Sequence, residues 1–458
     1  MNISASPPSG MRDFLPEELA RRRHVETVIR RVYETYGFLP VETPSIENLT
    51  ALLGKYGDEG DQLVFRILHR RDKLSRALEK DKPEEKDLAE LGLRYDLTVP
   101  LARLVANNRT LPRFFKRYQI QPVWRADRPG KGRFREFIQC DVDITGTASL
   151  IAEAEVCGAV AQVFKELGFS EFYFHLNHRQ LLKCLITRAG ISPAKEALVL
   201  VAVDKMDKIG EEGVLKELEN RGIEKKLSED LLTILRRNPD ADEIGKIDDL
   251  ANLFSDLPEA EKPLAELREL YDLLASTPAE GHLKIDAALV RGLGYYTGPI
   301  FEIKIPGLNG SLGGGGRYDG LIGMFRGEEI PAVGFAIGFE RLVQAMEEKK
   351  MFKTLQSGPQ LLLCRFEDVE SADVLLVAKR LRAGGINVEV YPESPKIGKQ
   401  LAYAESIHVP VAGIVGSNEV SQETITIKKM ATGEQTTLSW EQAAEKIKSW
   451  CVIQACDK

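Results

Sequence analysis

The 458-residue sequence lacks most of the features that reveal a chemistry by composition alone. Its six cysteines (Cys140, Cys157, Cys184, Cys364, Cys451, Cys456) show no CxxC spacing, which argues against a zinc ribbon or a disulfide framework and for reduced thiols. The six histidines form no HxxxH or HExxH pattern; His175 and His178 stand three apart with no further ligand nearby, so no metal site is expected. No apolar run approaches the roughly 20 residues of a membrane span, so no membrane association is expected. The amino terminus has no basic stretch followed by an apolar core, and Asp13, Glu17 and Glu18 come too early for a transit peptide. The expected location is therefore the compartment of synthesis, the cytoplasm. Excess positive charge is missing too: a net charge of −7 argues against wholesale coating of nucleic acid. Internal repeats are likewise absent.

What remains is an ordinary globular composition, 43% apolar and 29% charged, in a chain long enough for about three domains. Val25, Val28, Ile29, Val32, Tyr33 and Tyr36 recur at helical spacing over residues 16–36, with Gly37 as the stop. Phe38 to Pro44 then reads as a short edge strand. Residues 69–87 are almost wholly charged and predict a mobile surface insert. Strands are expected through 118–123 and 139–144, and a helix over 151–167. From about 181 to 278, leucine and alanine at helical spacing predict a separate helical insertion. Strand-and-glycine texture returns over 279–350. A linker over 351–358 leads to an α/β pattern in 359–458, expected to hold a mainly parallel sheet, a hairpin turning at Ala431-Thr432-Gly433, and a capping box of Ser439 and Gln442.

Charge is distributed unevenly. Nine basic residues lie between Arg109 and Arg135 (Arg109, Arg113, Lys116, Arg117, Arg125, Arg128, Lys131, Arg133, Arg135), against one acid, Asp127. Five aromatics, among them Trp124 and Phe134, interleave them and Phe137 follows, which a merely solvated face would lack. Around Pro129-Gly130-Lys131-Gly132 the chain predicts a hairpin with arginines at its base and tip. Guanidinium forks suit phosphate oxygens bidentately, and an aromatic ring on the same hairpin can stack a purine. A second unusual stretch, Leu289 to Gly298, packs Arg291, Tyr295, Tyr296 and three glycines into an apolar frame; a guanidinium there demands a partner. The Gly313–Gly316 run lacks the Gly-Lys-Ser/Thr of a phosphate loop and reads instead as a floor without side chains.

In order along the chain, these segments resemble the motifs of the histidyl-tRNA synthetases, a family of class II aminoacyl-tRNA synthetases: residues 16–44 motif 1, Trp124–Gln139 motif 2, Leu289–Gly298 the histidine signature, and Gly334–Leu342 motif 3. The resemblance implies a multidomain α/β protein. Its parts would be a catalytic domain on a mixed, mostly antiparallel sheet (1–180 and 279–350), the helical insertion, and an anticodon-binding domain (359–458), assembled as a homodimer. It further implies ATP-dependent ligation of L-histidine to tRNA(His), with Mg²⁺ on the pyrophosphate. Carried over by position, Arg125 and Arg291 flank the ATP α-phosphate, and Arg341 meets the γ-phosphate. Phe137 stacks adenine, while Arg133 faces nucleotide phosphates or the tRNA acceptor end. Asp96 and Thr98 take the histidine ammonium, Gln139 adds a polar contact, and Asp143 with Tyr296, beside Tyr295, grips the imidazole. Many relatives have Glu at the places of Asp96 and Asp143; Asp at both resembles a eukaryotic-like subset. Gly294 stands where the family usually has Asp. The alternative is a non-catalytic, histidine-sensing regulatory paralogue of histidine biosynthesis. Such relatives usually lack the terminal domain and the phosphate-binding arginines.

Overall fold

The computed structural model describes residues 4–54, 57–130, 132–237, 240–291, 294–352, 358–393 and 395–452. Lys131, Gly292, Leu293, Cys456 and most of the expected linker lie outside that set. The chain divides into two compact units, one of Met1–Asp13 with Arg22–Met351, the other of Phe14–Arg21 with Phe352–Lys458.

The expected helix, Pro16–Thr35, buries Val25, Val28, Ile29, Val32 and Tyr33, all in the larger unit, on one face. Gly37 ends it at φ 76°, a backbone angle that favours a residue without a side chain. Strand β1 (Leu39–Pro40) is short, as expected beside its prolines. Then β2 (Ile46–Asn48), β3 (Arg66–Leu68) and β4 (Ala89–Leu93) form a small antiparallel sheet in the order β2-β4-β3. Between β3 and β4 the charged insert lies largely exposed at the surface. It forms helices Arg71–Leu78 and Glu85–Leu88, the second closed by a Glu84/Asp87 capping box and tied to the first by Lys80–Asp87 at 2.6 Å. Opposite charges at close sequence spacing thus supply local order where few apolar side chains are available for burial.

Strands β5 (Phe115–Trp124) and β6 (Glu136–Thr145) form the expected hairpin, each longer than the periodicity indicated. Next come β7 (Tyr173–His178), β8 (Leu283–Ile285), β9 (Pro299–Lys304), β10 (Gly313–Arg317) and β11 (Ala332–Gly338). The resulting eight-stranded sheet runs β1-β5-β6-β11-β10-β9-β7-β8. Its two outer pairings, β1 with β5 and β7 with β8, are parallel; the inner ones are antiparallel. Helix Ile151–Glu166 covers the sheet with Val156, Val160, Val163 and Phe164 inaccessible to solvent. Between β7 and β8 the described elements are all helical, from Arg179–Arg188 to Glu261–Leu274.

The smaller unit continues with β12 (Leu361–Arg365), β13 (Val388–Val390), β14 (Val411–Val415), β15 (Thr424–Lys429) and β16 (Gln435–Ser439), ordered β13-β12-β14-β15-β16. A mainly parallel sheet is not what forms. Two pairings are parallel and two antiparallel, because the β15/β16 hairpin, turning at Gly433, docks along β14 instead of crossing over. Ser439 and Gln442 cap helix Trp440–Val452 reciprocally, at 3.3 and 3.4 Å. Helix Ser371–Ala383 packs Val374, Val377 and Leu381 into the same apolar cluster as Trp440 and Ile447.

Candidate active site

Alternation along β6 turns Gln139, Asp141 and Asp143 to one face of the large sheet. Register places Gln121, Gln119 and Arg117 of β5 beside them on one side, and Gly338, Ala336 and Gly334 of β11 on the other. Further across, Gly314 and Gly316 of β10 lie opposite Glu302 and Ile300 of β9. One face therefore has polar flanks and a middle almost free of side chains.

The glycines of β10 and β11 leave room for specific neighbours. A Cβ on Gly334 would overlap Asp143 Oδ1, one on Gly316 would meet Tyr296 Cδ1 at 3.0 Å, and one on Gly314 would meet Arg291 Nε at 3.4 Å. Where the sequence predicts a bare floor, the space above Gly314 and Gly316 is taken by Arg291 and Tyr296. Arg291 comes from the loop before β9, where Glu302 and the Ser311 hydroxyl both accept from one of its terminal nitrogens. Arg341, at the start of helix Phe339–Glu348, donates to the Ser311 carbonyl at 2.7 Å.

Arg125 leaves the end of β5 with its Nε donating to the Tyr95 carbonyl at 3.2 Å, and its guanidinium 4.3 Å from the Tyr95 ring and 5.1 Å from that of Phe137. Beyond it, residues 125–135 fold back through a Gly130–Arg133 bridge, with exposed Arg133 near the tip. Arg125, Arg133, Phe137, Arg291 and Arg341 all line one cavity of about 820 Å³. Burial, and then the neighbouring charges of Arg291 and Arg133, lowers the pKa of Arg341. Such a cluster of like charges is relieved by an anion. Glu340, also lining the cavity, is bound by Arg22 through two 2.7 Å contacts and by Arg12, and these guanidiniums hold its carboxyl below the usual range against the opposing effect of burial.

The residues assigned to histidine form a second group, on the sheet floor. Asp143 is 2% exposed, accepts from the Tyr318 hydroxyl, and faces the fully buried Arg117 at 2.8 Å. Burial raises its pKa; Arg117 and Tyr318 oppose the shift. Asp96 accepts from the Val99 amide at 3.1 Å at the start of helix Thr98–Asn107, whose first residue is Thr98. The Tyr295 and Tyr296 rings meet edge to face at 4.8 Å, and Tyr295 also contacts Tyr318 at 6.2 Å. None of Asp96, Thr98, Gln139, Asp143, Tyr295 or Tyr296 lines the arginine cavity. Arg125 bridges the two groups, donating to Gln139 Oε1 at 3.4 Å. Sequence reasoning missed Arg117, Tyr318, Glu302 and Ser311. Tyr318 stood two residues past the glycine run, and Arg117 was counted among the basic residues but its carboxylate partner was hidden, whereas Glu302 gave no signal without the strand register.

A mostly antiparallel sheet with this arrangement on one face is the catalytic architecture of the class II aminoacyl-tRNA synthetases. The family model for histidyl-tRNA synthetase matches residues 10–342, and that for an anticodon binding domain residues 368–450. The histidine–tRNA ligase of Cytophaga hutchinsonii is 40% identical over 454 residues, covering 96% of this chain and 99% of the relative. That of Christiangramia forsetii is 40% identical over 457 residues, covering 97% and 99%. The crystal structure of histidyl-tRNA synthetase from Nostoc sp. PCC 7120 superposes with a TM-score of 0.80 at 30% identity, covering 98% of this chain and all of that one. The chain belongs to the histidyl-tRNA synthetase family.

Proposed function

We propose that the protein joins L-histidine to tRNA(His) in two steps, first forming histidyl-adenylate from ATP and then esterifying the terminal adenosine of the tRNA. The observation that carries this reading is the convergence of Arg125, Arg133, Arg291 and Arg341 on one cavity beside a buried carboxylate and phenol cluster. Mg²⁺, if it accompanies ATP, would offset phosphate charge, and the carboxylates lining the cavity are Asp127, Asp204, Asp286, Glu302 and Glu340, of which Glu302 and Glu340 already hold arginines.

Histidine's carboxylate is ionised at neutral pH, so attack on the α-phosphorus needs no general base. Positioning and charge stabilisation then do the catalysis. Arg125 and Arg291 meet the oxygens on which charge grows, and Arg341 takes the pyrophosphate end. Phe137 stacks the adenine, and Arg133 faces the phosphates or the acceptor end. Asp96, Thr98 and Gln139 receive the ammonium, while Asp143 and Tyr296, beside Tyr295, take the two ring nitrogens. A wrong side chain leaves buried polar groups unpaired, a penalty that supports discrimination of about 10⁴. Glu302 and Ser311 hold Arg291 without the carboxylate missing at Gly294.

In this reading residues 1–180 and 279–350 form the catalytic domain, 181–278 a helical insertion and 359–458 the module that reads tRNA, joined through 351–358. The protein works in the cytoplasm as a homodimer. Support for the pairing comes from edge strand β1, where Leu39 is 59% exposed. Among the described residues no helix is long and apolar enough to cross a membrane. The regulatory alternative is disfavoured by the presence of all four arginines and of the anticodon-binding match. Pyrophosphate exchange against a panel of amino acids tests the reading: exchange should depend on histidine, and exchange with another amino acid, or with none, would overturn it.

A further inference from the structure

Asp141 stands between Gln139 and Asp143 on the same face of β6 and is 2% exposed. Both of its carboxylate oxygens accept from Gln139 Nε2, at 2.9 and 3.2 Å, while Arg117 lies 3.9 Å away. The other end of the same amide, Gln139 Oε1, accepts from Arg125 at 3.4 Å. A glutamine amide has nearly the same shape turned over, so its neighbours decide which end faces a ligand. An ionised carboxylate only accepts. It claims the amide NH₂ and leaves the oxygen pointing the other way, toward Arg125.

We propose that Asp141 is a positioning residue for amino-acid selection: it locks the Gln139 side chain with Oε1 toward the substrate, as an acceptor for the histidine ammonium. This rests on the reading of Gln139 as a histidine contact. The ammonium has three hydrogens and no lone pair, so an amide turned over would confront it with a second donor. Asp96, beside the same pocket, supplies a carboxylate, and Gln139 Oε1 supplies a further acceptor.

The surroundings of Asp141 fit this role. Arg117 from β5 lies 3.9 Å away, Asp143 on its own strand and Asp96 before helix Thr98–Asn107 act on it electrostatically, and its charge is felt in turn by Tyr295, Tyr296, Tyr318, Tyr33 and Cys140. Burial, opposed by Arg117 and reinforced by Asp143, pushes its pKa up to about 8. An arriving cation favours the ionised form, so the substrate completes the lock that holds it.

The test is an exchange of donor and acceptor. Histidine and ATP KM values and kcat are measured by pyrophosphate exchange for the wild type, Asp141→Asn, and the double variant Asp141→Asn with Gln139→Glu. An asparagine can present either end, so the single variant should raise the histidine KM about tenfold, the value of one charge-assisted hydrogen bond, with the ATP KM within about twofold. In the double variant the carboxylate introduced at position 139 accepts from the amide introduced at position 141 and still turns an oxygen to the substrate. Its histidine KM should return to within about threefold of the wild type. A merely structural aspartate predicts no such rescue. An unchanged histidine KM in Asp141→Asn, or a double variant that folds but is not rescued, overturns the proposal. If the single variant does not fold, the double variant, equal in charge and nearly equal in shape, decides alone. Absence of histidine-dependent exchange in the wild type would instead refute the reading of the protein as a histidine ligase.

Discussion

Replacing Arg291 with alanine separates catalyst from scaffold. Its guanidinium lies over Gly314, bound to Glu302 and Ser311, and faces the cavity shared with Arg125, Arg133 and Arg341. In-line displacement puts growing charge on the α-phosphate oxygens, and a preorganised donor there stabilises the transition state more than the ground state. Removing one such donor costs about 10²–10³ in kcat, or roughly 3–4 kcal/mol. The same substitution has a structural cost, because Glu302, 7% exposed, keeps Lys304 at 3.5 Å but loses Arg291. Weakening the pairing of a buried carboxylate costs about 1–3 kcal/mol of stability. The two effects are read separately: single-turnover adenylate formation for catalysis, and chemical denaturation for stability. Arg291→Ala should lower the rate of adenylate formation by the stated factor with modest changes in KM. Arg291→Lys keeps a charge beside Glu302 but not the planar fork, so it should recover most of the stability and only part of the rate. A folded Arg291→Ala protein with near-normal kcat would refute the catalytic role, and would mark Gly294 as part of a site already abandoned.

Three further outcomes are expected. Asp143→Ala should raise the histidine KM and weaken discrimination among amino acids, leaving ATP affinity nearly unchanged in steady-state kinetics. Because it deprives the fully buried Arg117 of its 2.8 Å partner, it should also cost about 3 kcal/mol in urea unfolding. Removing residues 359–458 should spare pyrophosphate exchange and cripple tRNA charging; equal loss of both in a folded truncation would contradict the division of labour. Without substrate, Asp141, with its pKa raised from 3.8 to about 8, keeps a proton that the unfolded chain has lost over that range, and it is the substrate cation that favours the ionised form ordering Gln139. Its contribution to stability therefore falls as pH rises from about 4 to 8. Urea midpoints of Asp141→Asn should show a shallower decline over that window than the wild type; parallel curves would count against the protonated native state.

The β5/β6 hairpin, the helix over 151–167 and the capped final helix were legible because each is specified locally, by period, by a stop glycine or by a cap. The arginines of the cavity were legible too, since charge set among aromatics and glycines is costly without a ligand. What surrounds them was not. Arg117 reaches Asp143 only through the pairing of two strands, and Glu302 meets Arg291 only because β9 lies beside β10. Register is a tertiary fact with no local spelling. The expected parallel sheet in the smaller unit failed for a similar reason, since a hairpin's own turn does not reveal which neighbour it docks against. In the charged insert, low apolar content obscured helices held by capping and ion pairs.

The run of glycines in β10 has a consequence for how such a site can change over generations. Gly314 lies beneath Arg291, and Gly316, two residues on, lies beneath Tyr296. A methyl group at Gly316 would press on the Tyr296 ring and on the Pro299 carbonyl, at 3.0 and 2.8 Å. At Gly314 the same methyl would stand 3.1 Å from the Phe301 carbonyl and 3.4 Å from Arg291. One strand thus carries two separately adjustable supports. On the proposed reading, any side chain gained at Gly316 would have to displace Tyr296 and the Pro299 backbone, altering the amino-acid pocket, while the support of Arg291 at Gly314 is inherited intact.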